Sequence, residues 1–130
     1  MVRVFVVDDH KLFRRTAAAV VEATDGFAVV GTAASFEAAE HKLDEVDLVL
    51  MDINLPGLSG IEAAQRLSAR GPRPAVVLLS TYDESTFDWA ESGAVDYIAK
   101  SSFSPTRLFR AWRATRSTHR EARDHVVHGA

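Results

Sequence analysis

The chain has no cysteine at all. Disulfides, thiolate metal centres and cysteine nucleophiles are thereby excluded, and the absence fits a cytoplasmic protein. No apolar run is long enough to span a bilayer. The N-terminus, Met1-Val2-Arg3-Val4, starts directly on a strand and lacks the anatomy of a signal peptide. Positive charge is not in excess: 15 Lys and Arg stand against 18 Asp and Glu, a net charge of −3. That balance argues against direct nucleic-acid binding by the chain. There is no internal repeat and no low-complexity segment.

What is present is ordinary in bulk and informative in pattern. The 130 residues suffice for one domain with one core, and 47% hydrophobic with 25% charged residues is typical of a globular chain. Strands and helices alternate throughout. The pattern predicts strands at Val2–Val7, Phe27–Ala33, Val46–Met51, Ala75–Leu79 and Val95–Ala99. Helices are predicted from near His10, after a Ser35 cap, over Ile61–Ala69, over about Glu84–Glu91, and from Pro105 to about Arg120. Gly93 is expected to end the fourth helix. Strand two alternates in polarity and reads as an edge. Right-handed βα crossovers then make a flavodoxin-like doubly wound (βα)5 fold, five parallel strands in order 2-1-3-4-5. Residues 1–120 form this domain and 121–130 a tail or the start of a linker.

Two of the buried strands end in acid. Val4-Phe5-Val6-Val7 runs into Asp8-Asp9, and Leu48-Val49-Leu50-Met51 runs into Asp52. In strand order 2-1-3-4-5 these ends are neighbours at the switch point, where open α/β sheets place their ligand sites. Converging carboxylates repel unless a cation or protons intervene. An oxygen-rich cluster suits a hard cation such as Mg2+. A carboxylate beside such a metal can also attack phosphorus and form an aspartyl phosphate. Ser80 and Lys100 close strands four and five and supply a hydroxyl and a cation at the same edge. Taken singly, each residue has a plainer explanation: Asp8-Asp9 could cap helix one, and Lys100 or Ser80 could be an ordinary loop residue. Their combination is what points to chemistry. Neither GxGxxG nor GxxxxGK[ST] follows a strand, which disfavours nucleotide-binding folds.

With these residues assembled, the chain resembles a CheY-like receiver domain of two-component response regulators, from Met1 to about Arg116. The resemblance rests on Val-Val-Asp-Asp-His at 6–10, Asp-Ile-Asn-Leu-Pro-Gly-Leu-Ser-Gly at 52–60, Leu-Leu-Ser-Thr at 78–81 and Gly-Ala-Val-Asp-Tyr-Ile-Ala-Lys at 93–100. It implies that Asp52 accepts a phosphoryl group from a sensor histidine kinase. Asp9 and Asp52 would ligate Mg2+ by side chain, Asn54 by its main-chain carbonyl and Asp8 through water. Ser80 would hydrogen-bond the phosphoryl group and Lys100 pair with it. Tyr97 matches the switch aromatic that turns inward when the Ser80 hydroxyl moves. Asn54, Thr81 and Tyr82 would control access to the phosphoryl group, and the bulk of Tyr82 implies slow hydrolysis. The stretch 8–14 is similar to the NarL/FixJ branch, many members of which carry a DNA-binding helix-turn-helix. The expectation is control of transcription through a DNA-binding domain absent from this chain, with self-phosphorylation and autodephosphorylation as its only catalysis. The alternatives are a stand-alone receiver and a degenerate receiver that only binds proteins. A haloacid-dehalogenase-type phosphatase would need Asp-x-Asp-x-Thr after strand one, which is not found.

Three features depart from the family pattern. The stretch from Ser80 to Lys100 is short, so helix four is expected to be truncated or shifted. Asp96 stands where glycine is common. Ser101 follows Lys100 where many receivers have proline. From Arg107 to the end there are six arginines (107, 110, 113, 116, 120, 123), mostly at three-residue spacing as a stripe on a helix, and Asp83, Glu84, Asp88 and Glu91 lie near helix four. These charges suggest a homodimer through helix four, strand five and helix five, or through helices one and five. Trp89 is read as semi-core or an interface residue, and Trp112 as buried.

Overall fold

The computed structural model describes residues 1–81 and 89–115. Five strands form one parallel sheet: β1 Val2–Val7, β2 Phe27–Ala33, β3 Leu48–Asp52, β4 Ala75–Ser80 and β5 Asp96–Ala99, in order β2-β1-β3-β4-β5. Three helices are α1 Lys11–Glu22, α2 Phe36–Ala39 and α3 Gly60–Arg70, and a further helix covers residues 105–115. This is the expected doubly wound fold, with β2 at one edge.

Strand alternation sorts the core into two layers. Phe5, Val7, Val49, Met51, Val76, Leu78 and Tyr97 pack under α2 and α3 against Phe36, Ala39, Ala63 and Leu67. Val4, Val6, Leu48, Leu50, Val77, Leu79 and Ile98 pack on the other face against Ala17, Val21, Leu108 and Ala111. The central strands β3 and β4 are buried along their whole length, as continuous apolar runs between two helical layers must be.

The helices begin where the sequence supplies caps. Ser59 and Glu62 close a reciprocal capping box at α3, and Ser35 accepts from the Ala38 amide at α2. Ser104 accepts from the Arg107 amide at the start of the last described helix.

Several boundaries differ from expectation: β5 starts one residue later, at Asp96, and α3 is one residue longer at each end. Strand β3 starts two residues later and includes Asp52, because its ladder to β4 continues to Asp52 opposite Leu79. Strand β4 likewise includes Ser80, opposite Ala99. Helix two is one α turn continued by a 3-10 turn, Glu40–Lys42. Its inward residues Phe36, Ala39 and Leu43 are nonetheless buried. Of the expected fourth helix, residues 84–88 lie outside the described residues. Its described end is a 3-10 turn, Ala90–Ser92, and not an α-helix. Ser92 there bonds the Trp89 carbonyl and the Ala94 amide through its own hydroxyl, a local alternative to helical pairing. Gly93 ends the turn in the left-handed region, φ 87°, as expected. Trp112 is half-buried rather than fully buried, its ring edge-on to Phe27 at 6.5 Å.

Candidate functional site

Parallel register builds the site. Val7 lies opposite Met51, Asp52 opposite Leu79, and Ser80 opposite Ala99. One step past these pairs, Asp8, Asp52, Ser80 and Lys100 therefore share the C-terminal edge of four adjacent strands. Alternation divides them further. Asp8, Asp52 and Lys100 follow the residues that face α1, while Ser80 follows Val76 and Leu78 on the face that holds Tyr97.

The side chains meet as expected for the first group. Lys100 Nζ lies 2.8 Å from Asp8 Oδ2 and 3.4 Å from Asp52 Oδ2. Asp8 and Asp52 are buried, and Asp9 is exposed at the rim. Asp52 Oδ1 accepts from the Asn54 amide at 3.2 Å, which ties the loop after β3 to the carboxylate. Ser80 is fully buried, Tyr97 is buried, and Thr81 is exposed beside them. Tyr82 lies outside the described residues. The N-cap residue of α1 is His10, whose side chain makes no capping bond, but its amide donates to Asp8 Oδ1 at 2.8 Å, so Asp8 also helps to close the start of the helix.

Burial pushes the Asp52 carboxyl above the ordinary aspartate range, and the charge of Asp8 pushes it further. Lys100 and the Asn54 amide pull it part of the way back. Asp8 Oδ2 is buried and has the Lys100 ammonium, 2.8 Å away, as its ion-pair partner, so one cation faces two buried carboxylates. Such a site gains from a further cation. Asp8, Asp9, His10 and Asp52 each offer one ligand atom, all within 4.8 Å of one another. The pocket is thus compatible with a divalent metal, and its carboxylates match a hard ion.

Three residues of α1 and its approach belong to the site and were not singled out from sequence. His10 Nδ1 lies 3.2 Å from Asp9 and 3.3 Å from Asp8. Phe13 lies under the lysine, with Lys100 Nζ 4.4 Å from its ring centre. Arg14 donates to the Asp8 carbonyl at 2.7 Å. The signal was available: 10, 13 and 14 are spaced three and four residues apart, so one helix face looks back over the acids.

Trp89 is half-buried and stacks on Tyr97, ring centres 6.2 Å apart and planes 28° apart. Asp96 is not a free negative charge beside Tyr97, because Arg107 holds both its oxygens. No helix among the described residues is long and apolar enough to cross a membrane.

Comparison with known proteins agrees with this geometry. A family model for the response regulator receiver domain matches residues 4–113. The response regulator GacA of Pseudomonas viridiflava is 38% identical over 106 residues, covering 78% of this chain and 50% of that protein. The transcriptional regulatory protein YdfI of Bacillus subtilis is 32% identical over 110 residues, covering 82% of this chain and 51% of that protein. The crystal structure of a LuxR-family two-component response regulator from Aurantimonas sp. SI85-9A1 superposes with a TM-score of 0.75 at 33% identity, covering 86% of this chain and 82% of that one. The chain spans about half the length of the two curated relatives. With its fold, its acidic pocket and these matches in agreement, the chain belongs to the response regulator receiver domain family of two-component signalling.

Proposed function

We propose that the chain takes a phosphoryl group from a sensor histidine kinase onto Asp52, in the cytoplasm and with Mg2+ as cofactor. The observation that carries this reading is the Lys100 ammonium lodged between two buried carboxylates, 2.8 Å from Asp8 and 3.4 Å from Asp52. A lysine so placed is poised to pair with a phosphoryl oxygen attached to Asp52.

Asp52 Oδ2 attacks phosphorus while the bond from phosphorus to the donor's nitrogen or oxygen breaks, its electron pair leaving with the donor. Asp8, Asp9, Asp52 and the Asn54 carbonyl would hold Mg2+, which when bound neutralises charge on the carboxylates and on the transferring group. Lys100 then pairs with a phosphoryl oxygen. Ser80 donates its hydroxyl from the neighbouring strand, and Tyr97 fills the space that the shift of Ser80 opens. Thr81 and Tyr82 control water access.

Inverting a hundred-fold preference for the inactive state takes about 5.5 kcal/mol. Two charge-assisted hydrogen bonds at about 1.5–3 kcal/mol each are of that size. The output is control of transcription through a DNA-binding domain beyond residues 1–120. The half-length match to the two relatives, one named a transcriptional regulatory protein, supports this.

The test is incubation with acetyl phosphate and Mg2+, read by intact mass. One phosphoryl adduct is expected, lost with a chelator and in Asp52→Asn. A wild-type chain that takes no adduct would be a protein-binding module without phosphoryl chemistry.

A further inference from the structure

The acidic pocket has a donor that the carboxylate reading does not use. His10 Nδ1 stands 3.2 Å from Asp9 Oδ1, 3.3 Å from Asp8 Oδ1 and 4.0 Å from Asp52 Oδ2. Donor atoms on adjacent positions around an ion with bonds of about 2.1 Å are separated by roughly 3 Å. The imidazole therefore sits at ligand spacing from the carboxylates with little rearrangement.

The backbone fixes it there. The His10 amide donates to Asp8 Oδ1 at 2.8 Å, and Arg14 holds the Asp8 carbonyl at 2.7 Å. The side chain itself is 68% exposed and fills no core space. Packing does not explain its direction toward the acids. The donor set carries the ion argument: Asp8, Asp9, His10 and Asp52 each offer one ligand atom, all within 4.8 Å of one another, and Lys100 already pairs with Asp8 Oδ2 at 2.8 Å.

We propose that His10 is a metal ligand through Nδ1. It adds a nitrogen donor to the carboxylates Asp8, Asp9 and Asp52 and strengthens the pocket's preference for first-row divalent ions, Mn2+ through Zn2+, over Mg2+. The inference rests on the acidic pocket being a cation site. Imidazole suits the later first-row ions, whereas magnesium keeps oxygen ligands and water. His10 thus contributes to Ni2+ and Mn2+ affinity and not to Mg2+ affinity. The chain carries five histidines, so the test must locate the ion as well as detect it.

The experiment is calorimetric titration of the full chain with Ni2+ and, separately, Mg2+, in wild type, His10→Ala and Asp9→Asn. Electron spin echo spectroscopy of the Mn2+-loaded wild type and His10→Ala accompanies it. The expected result is a loss of about tenfold or more in Ni2+ affinity in His10→Ala, with Mg2+ affinity changed less than about threefold. Asp9→Asn weakens both ions. An imidazole nitrogen coupling to Mn2+ is present in wild type and absent in His10→Ala. Unchanged Ni2+ affinity in His10→Ala, or a Mn2+ signal with no nitrogen coupling, overturns the assignment of His10. Failure of Mg2+ to bind wild type at all, or an Asp9→Asn chain that binds both ions normally, overturns instead the reading of the pocket as a cation site.

Discussion

Arg107 grips Asp96 with two parallel hydrogen bonds, Nη1 to Oδ2 at 2.8 Å and Nη2 to Oδ1 at 3.0 Å. The same guanidinium donates to the Tyr97 carbonyl at 3.3 Å. One side chain thereby clamps the start of β5 to the 105–115 helix. Both partners are mostly buried, at 24% and 20% exposure, so solvent screens the pair less than an ordinary surface bridge. An acid at position 96 is accommodated because an arginine eleven residues on neutralises it. Arg107→Ala should cost about 2 kcal/mol in urea denaturation, and Arg107→Lys should recover only part of it, since an ammonium cannot make the paired contact. A loss below about 0.5 kcal/mol in the alanine variant would place this pair among solvent-screened surface bridges.

The raised pKa of Asp52 fixes the sign of a pH effect. Folded Asp52 holds its proton more tightly than it does in the unfolded chain, so its contribution to stability is fully present below the ordinary aspartate pKa. That contribution is lost as pH rises through the folded value. At neutral pH the ionised carboxylate is a cost, borne mainly through burial and secondarily through repulsion by Asp8. Asp52→Asn should therefore melt higher than wild type at neutral pH without divalent ions. The gap should close on acidification and on adding Mg2+, which stabilises the wild type by binding its folded state. Thermal melts across pH check this; a variant less stable than wild type at neutral pH would refute it.

Gly60 starts α3 directly on the backbone of the proposed acceptor. A Cβ there would collide with the Asp52 carbonyl oxygen and approach Ile53 Cα to 2.8 Å and the Asp52 carbonyl carbon to 2.9 Å. The obstruction is main chain, which has no rotamer to yield. The Gly60 amide also donates to the Ile53 carbonyl at 2.8 Å, which seats the helix there. Gly60→Ala should destabilise the fold by about 3 kcal/mol and shift the Asp52 carboxylate, slowing phosphoryl uptake. Denaturation and uptake from acetyl phosphate measure the two effects separately.

Trp89 covers Tyr97 from the segment before β5, and this stack ties the tryptophan to the proposed switch residue. Trp89→Ala should cost about 1 kcal/mol beyond the area lost. In a Trp112→Phe background, the emission of Trp89 should change on phosphorylation, because movement of Tyr97 alters its stacking partner. Emission indifferent to phosphorylation would separate Trp89 from the switch.

The sheet order and the acid-bearing strand ends were legible because both follow from local pattern. Buried parallel strands read as apolar runs, and register then carries Asp8, Asp52, Ser80 and Lys100 to one edge. What the pattern hid were contacts made by half-buried side chains reaching across elements. Phe13 packs against the core from α1, and its ring also supports Lys100. Arg107 read as part of an arginine stripe, yet it turns inward to Asp96. The 3-10 form of the Ala90–Ser92 turn was also hidden, because Ser92 competes for the backbone in a way that spacing does not reveal.

The central claim is that the Asp52 carboxylate is the phosphoryl acceptor. Phosphorylate the chain with acetyl phosphate and Mg2+, reduce with borohydride, and map the peptides by tandem mass spectrometry. Reduction converts an aspartyl phosphate to homoserine, so homoserine should be found at position 52 and at no other aspartate, with the signal lost in Asp52→Asn. Homoserine at Asp8 or Asp9, or none in a chain that is folded and supplied with Mg2+, would contradict the account.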